Sequence, residues 1–498
     1  MKKKLSFPSA FTVLFLVLIL SAGLTYIIPA GGYAKILYDQ QSNTFTETFP
    51  DGTQTVLEGN QETLDSLGVA NDISKFADGS ISKAVAVPGT YERISQNPQG
   101  IREILLAPIN GVYDSIGIIL FVFMIGGVIG VINESGAINA GIAALSKATK
   151  GNEYILIIFV TFLIGLGGTT FGLAEETIAF YPILIPVYLA AGYDAMVCIG
   201  AIYLGSSIGT MFSTTNPFSV VIGSNAAGIS FTEGIIYRLI GLVAGLVIVT
   251  LYVINYANRV KKDPTKSLIY DMRDEAHEPI PVDGEAVPFT GRRILILVIF
   301  VLSFALMIFG VSSLGWWFEE MTALFLVSGI LIGFIAGVGE KKFVNTFIAG
   351  AADLMGVALV IGIARSINSI LENGLISDTI LYSLSNFVSG MSPNLFVIIM
   401  MFVFMILGFF IASSSGLATL SIPIMAPLAD AVGVPRDVII TAFIFGQGLM
   451  SIITPTGLIL ASLEMVNVTY NKWLKFVLPL LGIMAVLAIG VLLLEVNL

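Results

Sequence analysis

Cysteine occurs once in this chain, at Cys198, and histidine once, at His277. A single cysteine excludes a disulfide within the chain and any thiolate cluster. A lone histidine in a polar loop rich in acids reads as a solvated side chain, because a metal site needs partners that the sequence does not place around it. Charge is scarce as well. Asp, Glu, Lys and Arg supply 12% of the 498 residues, against about 25% in soluble domains. That leaves too little polar surface for a soluble globule of this size. No P-loop or other nucleotide motif is present, which argues against an ATP-driven pump. No H-E-x-x-H, no nucleophile–base set and no covalent cofactor signature is visible, so neither enzymatic activity nor a cofactor is expected. The net charge of −10 collects in two polar loops. No basic patch exists, so no nucleic-acid partner is expected.

What the chain does have is apolar sequence, 56% of its residues. Its partner is therefore a lipid bilayer. Apolar runs predict spans near 9–29, 111–132, 234–256, 292–313, 320–338, 346–370 and 474–496. The first follows Lys2, Lys3 and Lys4 and is long for a signal peptide, with no clear small-residue cleavage site, so it reads as an uncleaved helix. Two broken spans lie near 195–227 and 437–464. Two further segments, 153–191 and 392–432, are too long for one crossing and carry polar midpoints. Each reads as a re-entrant hairpin with two short arms of roughly 12–15 residues, against about 20 for a full span. Lys147, Lys150, Lys261, Lys262, Lys266, Arg292, Arg293, Lys341, Lys342, Lys472 and Lys475 fall on one side in this topology, which assigns that side and the N-terminus to the cytoplasm.

The expected fold is therefore an all-α polytopic membrane protein with about nine full spans. Residues 1–30 hold the first helix and 31–105 an extracytoplasmic loop with turn signals. Residues 106–256 form a first half containing the hairpin 153–191. Residues 257–290 form a cytoplasmic linker, and 291–498 a second half containing the hairpin 392–432.

The halves repeat one design. Pro182, Pro186, Gly192 and Gly205 fall on Pro423, Pro427, Gly433 and Gly446 at a constant offset of 241. Upstream, Gly111-Val112-Tyr113-Asp114 is similar to Gly350-Ala351-Ala352-Asp353, and Glu134-Ser135-Gly136 to Glu372-Asn373-Gly374. In the topology above the two halves run oppositely, so they are inverted repeats. Paired, interrupted hydrophobic segments in corresponding places point to a transporter's binding site.

The chemistry collects at four breaks, near 168–176, 206–217, 411–419 and 447–457. Helix breaks at mid-depth need partners from protein or water, and they offer amides to anions and carbonyls to cations. Gly, Ser and Thr also serve plain helix packing. Four such clusters in symmetric positions favour a site. It comprises Thr169 and Thr170, then Ser213, Thr214, Thr215 and Asn216, then Ser413, Ser414 and Ser415, and finally Gln447, Thr454 and Thr456. Ser413 to Ser415 are expected to face Thr169 and Thr170. Glu175 and Glu176 stand at the first hairpin's break between apolar flanks, where a charge costs about 2.5–3.5 kcal/mol. They call for a cation, a proton or strong hydrogen bonds; one of them also suits helix capping. Arg365 lies inside VIGIARSINSI. Its guanidinium needs a carboxylate, either the substrate's or a structural one on Asp353 or a hairpin acid.

Four stretches carry a family resemblance: FPSAFTVLFLVLILSAGLTYIIPAGGY near the N-terminus, NPQGI at 97–101, GGTTFGLAEETIAFYPILIPV at 167–187 and SSSGLATLSIPIMAPL at 413–428. The chain resembles the YfcC-like transporters, grouped with the C4-dicarboxylate anaerobic carriers (DcuC-like) of the ion-transporter superfamily. The resemblance implies inverted repeats, two re-entrant hairpins, elevator-type movement, a homodimer and a bacterial inner membrane. Relatives are assigned to arginine/ornithine exchange or to C4-dicarboxylates. The superfamily's Ser-Asn-Thr signatures appear here only as Ser213-Thr214-Thr215-Asn216 and Ser413-Ser414-Ser415-Gly416. That departure speaks against carrying over sodium coupling from the superfamily, so H+ and Na+ both stay open as the coupling ion and no metal site is assigned. The reading is secondary transport of a small amino acid or carboxylate, with exchange of a basic amino acid first and C4-dicarboxylate carriage second. A passive channel would need an open path instead.

Overall fold

Capped apolar runs set the long helices. The computed structural model describes residues 8–498 except 70, 78–80, 82, 150, 273–287 and 389–390. Lys2 to Lys4, Lys150 and His277 therefore lie outside the described residues. Helix α1 (Ala10–Ile27) starts where the Ser9 side chain accepts the Thr12 N–H at 3.4 Å. Among the described residues ten helices are long and apolar enough to cross a membrane.

The stretch after α1 departs from an all-helical reading. Strands β1 (Gly31–Gly32), β2 (Lys35–Asp39), β3 (Thr44–Thr48), β4 (Gln54–Glu58), β5 (Val85–Ala86) and β6 (Glu92–Arg93) enclose two short helices, α2 (Gln61–Ser66) and α3 (Ser74–Ala77). Four strands pair antiparallel in the order β4-β3-β2-β5, and β1 pairs with β6. The cause is local. Strand β3 reads TFTET and alternates buried and half-buried positions, the period-2 pattern of a strand with one covered face. Phe45, Phe76, Leu64 and Ile36 form a small core of their own. This cap is docked, not loose. Tyr91 stacks on Tyr382 with ring centroids 4.0 Å apart, and Lys35 lies 3.5 Å from Asp378.

The first half continues through α4 (Ile101–Asp114), α5 (Ile116–Glu134), α6 (Ala137–Thr149), α7 (Tyr154–Phe171), α8 (Tyr181–Ala190), α9 (Ala195–Met211), α10 (Ile222–Ala227) and α11 (Ile235–Lys262). Helix α12 (Gly291–Leu314) follows the linker. The second half holds α13 (Phe318–Ala336), α14 (Glu340–Asp353), α15 (Met355–Asn373), α16 (Ser377–Val388), α17 (Pro393–Phe410), α18 (Ser414–Ala431), α19 (Arg436–Ile453), α20 (Ile459–Met465) and α21 (Tyr470–Asn497). Corresponding elements match in length: 14 residues for α4 and α14, 19 for α5 and α15, 18 for α7 and α17, 28 for α11 and α21. The first arms of the two hairpins, α7 and α17, are longer than the 12–15 residues expected. At 1.5 Å per residue each reaches about 27 Å. For α7 the sequence underestimates the length because Gly167, Gly168, Thr169 and Thr170 stay helical.

Directions follow from close approaches. The α4–α5 pair runs antiparallel to α14–α15, with Gly111 against the Gly362 carbonyl and Gly126 against that of Gly350. Helix α7 runs parallel to α9, since Gly205 meets Thr161 and Gly209 meets Gly165. Helix α17 runs parallel to α19 by the same logic, with Gly446 on Met401 and Gly408 beside Gln447 and Met450. Helices α9 and α19 cross antiparallel, with Tyr203 Oη donating to the Ser451 carbonyl at 2.7 Å and Phe212 packed on Phe445. The two hairpins therefore point in opposite directions. A Cβ at Gly209 would overlap the Gly165 carbonyl oxygen, and backbone cannot step aside as a side chain can. Gly209→Val should cost well above the ~1–3 kcal/mol of ordinary overpacking. It is expected to abolish a monodisperse peak in fluorescence-detected size exclusion. Gly482→Ala, where a Cβ meets nothing within 4 Å, should leave that peak intact.

Two bundles result. Helices α7–α11 and α17–α21 pack on one another, while α4, α5, α14 and α15, with α1 and α13, form the second bundle. They meet where α20 lies on α15 and where the turn Glu175–Phe180 lies on α5.

Candidate substrate site at the helix breaks

The first hairpin turns at Gly172, which has φ +76° and closes α7 as a left-handed C-cap. A side chain there would be strained, and a Cβ would sit 2.9 Å from Asn216 Oδ1. After Leu173 and Ala174 the chain forms the turn Glu175–Phe180 and then α8. This tip is stitched to the break after α9. The Thr169 hydroxyl accepts the Thr214 N–H at 2.9 Å and pairs with the Thr214 hydroxyl at 3.1 Å. The Thr215 N–H reaches the Thr169 carbonyl at 3.2 Å, and Asn216 Nδ2 reaches that of Gly168 at 3.4 Å. Asn216 Oδ1 then accepts the Phe218 N–H at 2.8 Å and starts the turn leading to α10. Ser206 Oγ donates to the Leu173 carbonyl.

The second hairpin turns through Ile411 and Ala412. Ser413 N-caps α18 by accepting the Gly416 N–H at 3.2 Å, and its hydroxyl lies 3.4 Å from that of Ser415. The break after α19 leaves carbonyls that three aromatic residues take up. Tyr203, Trp473 and Tyr470 donate to the carbonyls of Ser451, Ile452 and Ile453. Those carbonyls are therefore already occupied by structural donors, contrary to the expectation of carbonyls offered to a cation. Thr454 and Thr456 pair their hydroxyls at 2.7 Å, and Gln447 is buried beside Gly408. Helix α10 packs on α18, and α20 packs on α8. Each broken helix thus leans on the other half's hairpin, which draws the four breaks together.

Not every candidate faces inward. Thr170 is exposed and bonds the Leu166 carbonyl of its own helix at 2.7 Å. Ser213 is buried against Ser219 at 3.3 Å. Among the described residues no hydrogen bond joins Ser413, Ser414 or Ser415 to Thr169 or Thr170; the threonines are tied to their own half's break. Ser415 instead accepts a bond from Lys83 Nζ of the cap at 2.5 Å.

The charged groups are the informative ones. Glu176 is 7% exposed, and its Oε2 accepts the Ala174 N–H at 3.2 Å. Among the described residues no Lys or Arg comes within ion-pair distance of Glu175 or Glu176. Arg365 is exposed on α15, and no ion pair joins it among the described residues either. Asp353, the structural partner considered above, is exposed at the end of α14 and makes no such pair. The charge of Arg365 acts on both Glu175 and Lys83. No group of three or more His, Cys, Asp and Glu stands ready for a metal ion among the described residues.

Lys83 and the three aromatic donors escape sequence reasoning, while Ser206 falls at the start of the expected break 206–217 without being singled out. For Lys83 a signal exists: Ala84-Val85-Ala86-Val87-Pro88 follows it, an apolar run inside a polar loop.

Comparison with known proteins adds the following. The family model for the C4-dicarboxylate anaerobic carriers, DcuC, matches residues 7–497. An uncharacterized protein of Haemophilus influenzae is 48% identical over 499 residues, covering 100% of this chain and 98% of its own. YfcC of Escherichia coli, provisionally named a basic amino acid antiporter, is 34% identical over 386 residues, 75% of this chain and 76% of that one. Among solved structures, the YdaH transporter of Alcanivorax borkumensis aligns at TM-score 0.39 with 12% identity, covering 97% of this chain and 98% of its own. MtrF of Neisseria gonorrhoeae, tied to a class of antimetabolite efflux pumps, aligns at TM-score 0.37 with 17% identity, covering 98% and 95%.

Proposed function

The chain belongs to the C4-dicarboxylate anaerobic carrier family of membrane transporters, and from that premise we propose that it exchanges small carboxylate-bearing metabolites, with a basic amino acid such as arginine or ornithine as the favoured substrate. The observation that carries this reading is the pair of unneutralised poles. Among the described residues Arg365 has no ion-pair partner on its apolar helix. Glu175 and Glu176, in the hairpin-tip turn packed on α5, have no Lys or Arg within ion-pair distance among the described residues, while the charge of Arg365 reaches Glu175. Charges in a membrane interior are costly and conventionally paired. An amino acid with a cationic side chain supplies both missing partners: its carboxylate forks onto Arg365 and its cation meets the glutamates. The provisional name of YfcC supports the same substrate class.

The bundle of α7–α11 and α17–α21 carries the hairpins and broken helices, so it is the moving body of an elevator. The bundle of α4, α5, α14 and α15 is the scaffold and, in this reading, the homodimer contact. The cap marks the extracytoplasmic side. Lys261, Lys262, Lys472 and Lys475 mark the cytoplasmic side of a bacterial inner membrane, with the N-terminus cytoplasmic.

One observation favours a second reading, carriage of a C4-dicarboxylate. Lys83 and Arg365 give the site two cations, suited to two carboxylates, and the glutamates would then hold coupling protons or Na+. Proteoliposomes loaded with arginine, with succinate or with neither separate the two. Labelled arginine should enter arginine-loaded vesicles rapidly and the other two slowly. Rapid entry of labelled succinate into succinate-loaded vesicles, with arginine inert, would replace the first reading by the second.

A further inference from the structure

Lys83 belongs to the cap, yet its ammonium lies inside the candidate site. It donates to Ser415 Oγ at 2.5 Å, two residues past the N-cap Ser413 of α18. The strand that follows it, β5, runs against α18, so the lysine is carried there by a packed element. The same cap is held to α16 by Tyr91 on Tyr382 and by Lys35 and the Tyr33 N–H on Asp378. It is held to α10 by Asn71 Nδ2 on the Asn225 carbonyl. The cap therefore grips both halves of the hairpin bundle and places one ammonium at the second hairpin's tip.

That ammonium has no ion-pair partner among the described residues, and the strongest charge acting on it is another cation, Arg365. Burial lowers the readiness of Lys83 to hold its proton, and the positive charge of Arg365 lowers it further, with Glu372 opposing. Two cations from different layers of the protein, one on the Ser415 hydroxyl and neither within ion-pair distance of a carboxylate among the described residues, define a place for an anion.

We propose that Lys83 is a substrate ligand contributed by the cap: it binds the carboxylate of substrate arriving from the cap side, together with Arg365 and Ser415, and so selects carboxylate-bearing substrates at that entrance. This rests on the reading of Arg365 as a carboxylate site. In the structure Ser415 occupies the ammonium; an arriving carboxylate accepts from it instead.

The test uses the full chain in right-side-out proteoliposomes and labelled arginine supplied outside. Cys198 is buried, so Lys83→Cys offers one accessible thiol. Lys83→Cys should raise the external KM about tenfold, the worth of one hydrogen bond to a charged group, with the maximal rate near that of the parent. Aminoethyl methanethiosulfonate restores an ammonium and should restore KM. The sulfonatoethyl reagent installs an anion and should raise KM further. Lys83→Arg, which keeps the charge, guards against a folding defect and should retain a low KM. An unchanged KM in Lys83→Cys, equal transport by the two adducts, or a fall in maximal rate alone would overturn the proposal. Arg365→Gln, measured alongside, tells the two ideas apart. If it loses affinity while Lys83→Cys keeps it, Lys83 is no ligand and the carboxylate site stands. If Arg365→Gln keeps full affinity, the carboxylate site itself is wrong.

Discussion

Arg365→Gln is expected to lower arginine exchange at least a hundredfold, with most of the loss in affinity. The guanidinium makes no ion pair among the described residues, so its removal breaks no structural salt bridge. What it removes is the bidentate partner of the substrate carboxylate. Losing one member of such a charge pair costs about 2–5 kcal/mol where the other is left desolvated, and each 1.4 kcal/mol is tenfold. Arg365→Lys keeps the charge but not the planar fork, and should recover only part of the loss. Counterflow in proteoliposomes reads both variants, and their thermal midpoints in detergent should stay within a few degrees of the parent's. A variant with normal exchange would remove Arg365 from the site.

The double variant Glu175→Gln with Glu176→Gln carries the second large effect. Gln keeps size and most hydrogen bonding, including acceptance of the Ala174 N–H that Glu176 receives. Only charge is lost, so electrostatics and packing separate. For a cationic substrate, affinity should fall about thirtyfold or more, in line with losing the carboxylate side of a charged hydrogen bond worth ~1.5–3 kcal/mol. Affinity for a neutral analogue such as norvaline should be unaffected. Under the dicarboxylate reading the same variant would spare succinate exchange and abolish uptake driven by a pH gradient. No change in binding, exchange or pH-driven uptake would assign both glutamates to the scaffold.

Much of the architecture is written in local pattern. The offset of 241 through Pro182, Pro186 and Gly205 marks the hairpins and broken helices, because a Pro is set by local backbone geometry and a close-approach Gly by a helix contact that no larger residue allows. Gly205 and Gly446 indeed sit where α9 and α19 touch Thr161 and Met401. Arm lengths were less legible. Gly167, Gly168, Thr169 and Thr170 look like breakers, yet they complete α7 because their bonds are supplied by the break after α9.

At the site, composition finds the breaks but not who satisfies them. Tyr203, Trp473 and Tyr470 read as apolar filler, although each spends its polar tip on a carbonyl freed by the break at Ile453. Only tertiary structure brings them there. The approach of Lys83 to Ser415 links residues 332 positions apart, and no periodicity encodes such a contact. The pairing of Thr169 with Thr214, rather than with the serines of the other hairpin, likewise depends on α7 and α9 running in parallel.

The central claim is that one site reads a carboxylate at Arg365 and a cation at Glu175 and Glu176. Competition against labelled arginine exchange tests it most directly, with a set of analogues that each keep one pole. Unlabelled arginine and ornithine should compete fully. Agmatine, which lacks the carboxylate, and norvaline, which lacks the side-chain cation, should each compete at least tenfold more weakly, and succinate should not compete. Agmatine or norvaline matching arginine would contradict the two-pole site, and succinate displacing arginine would contradict the choice of substrate.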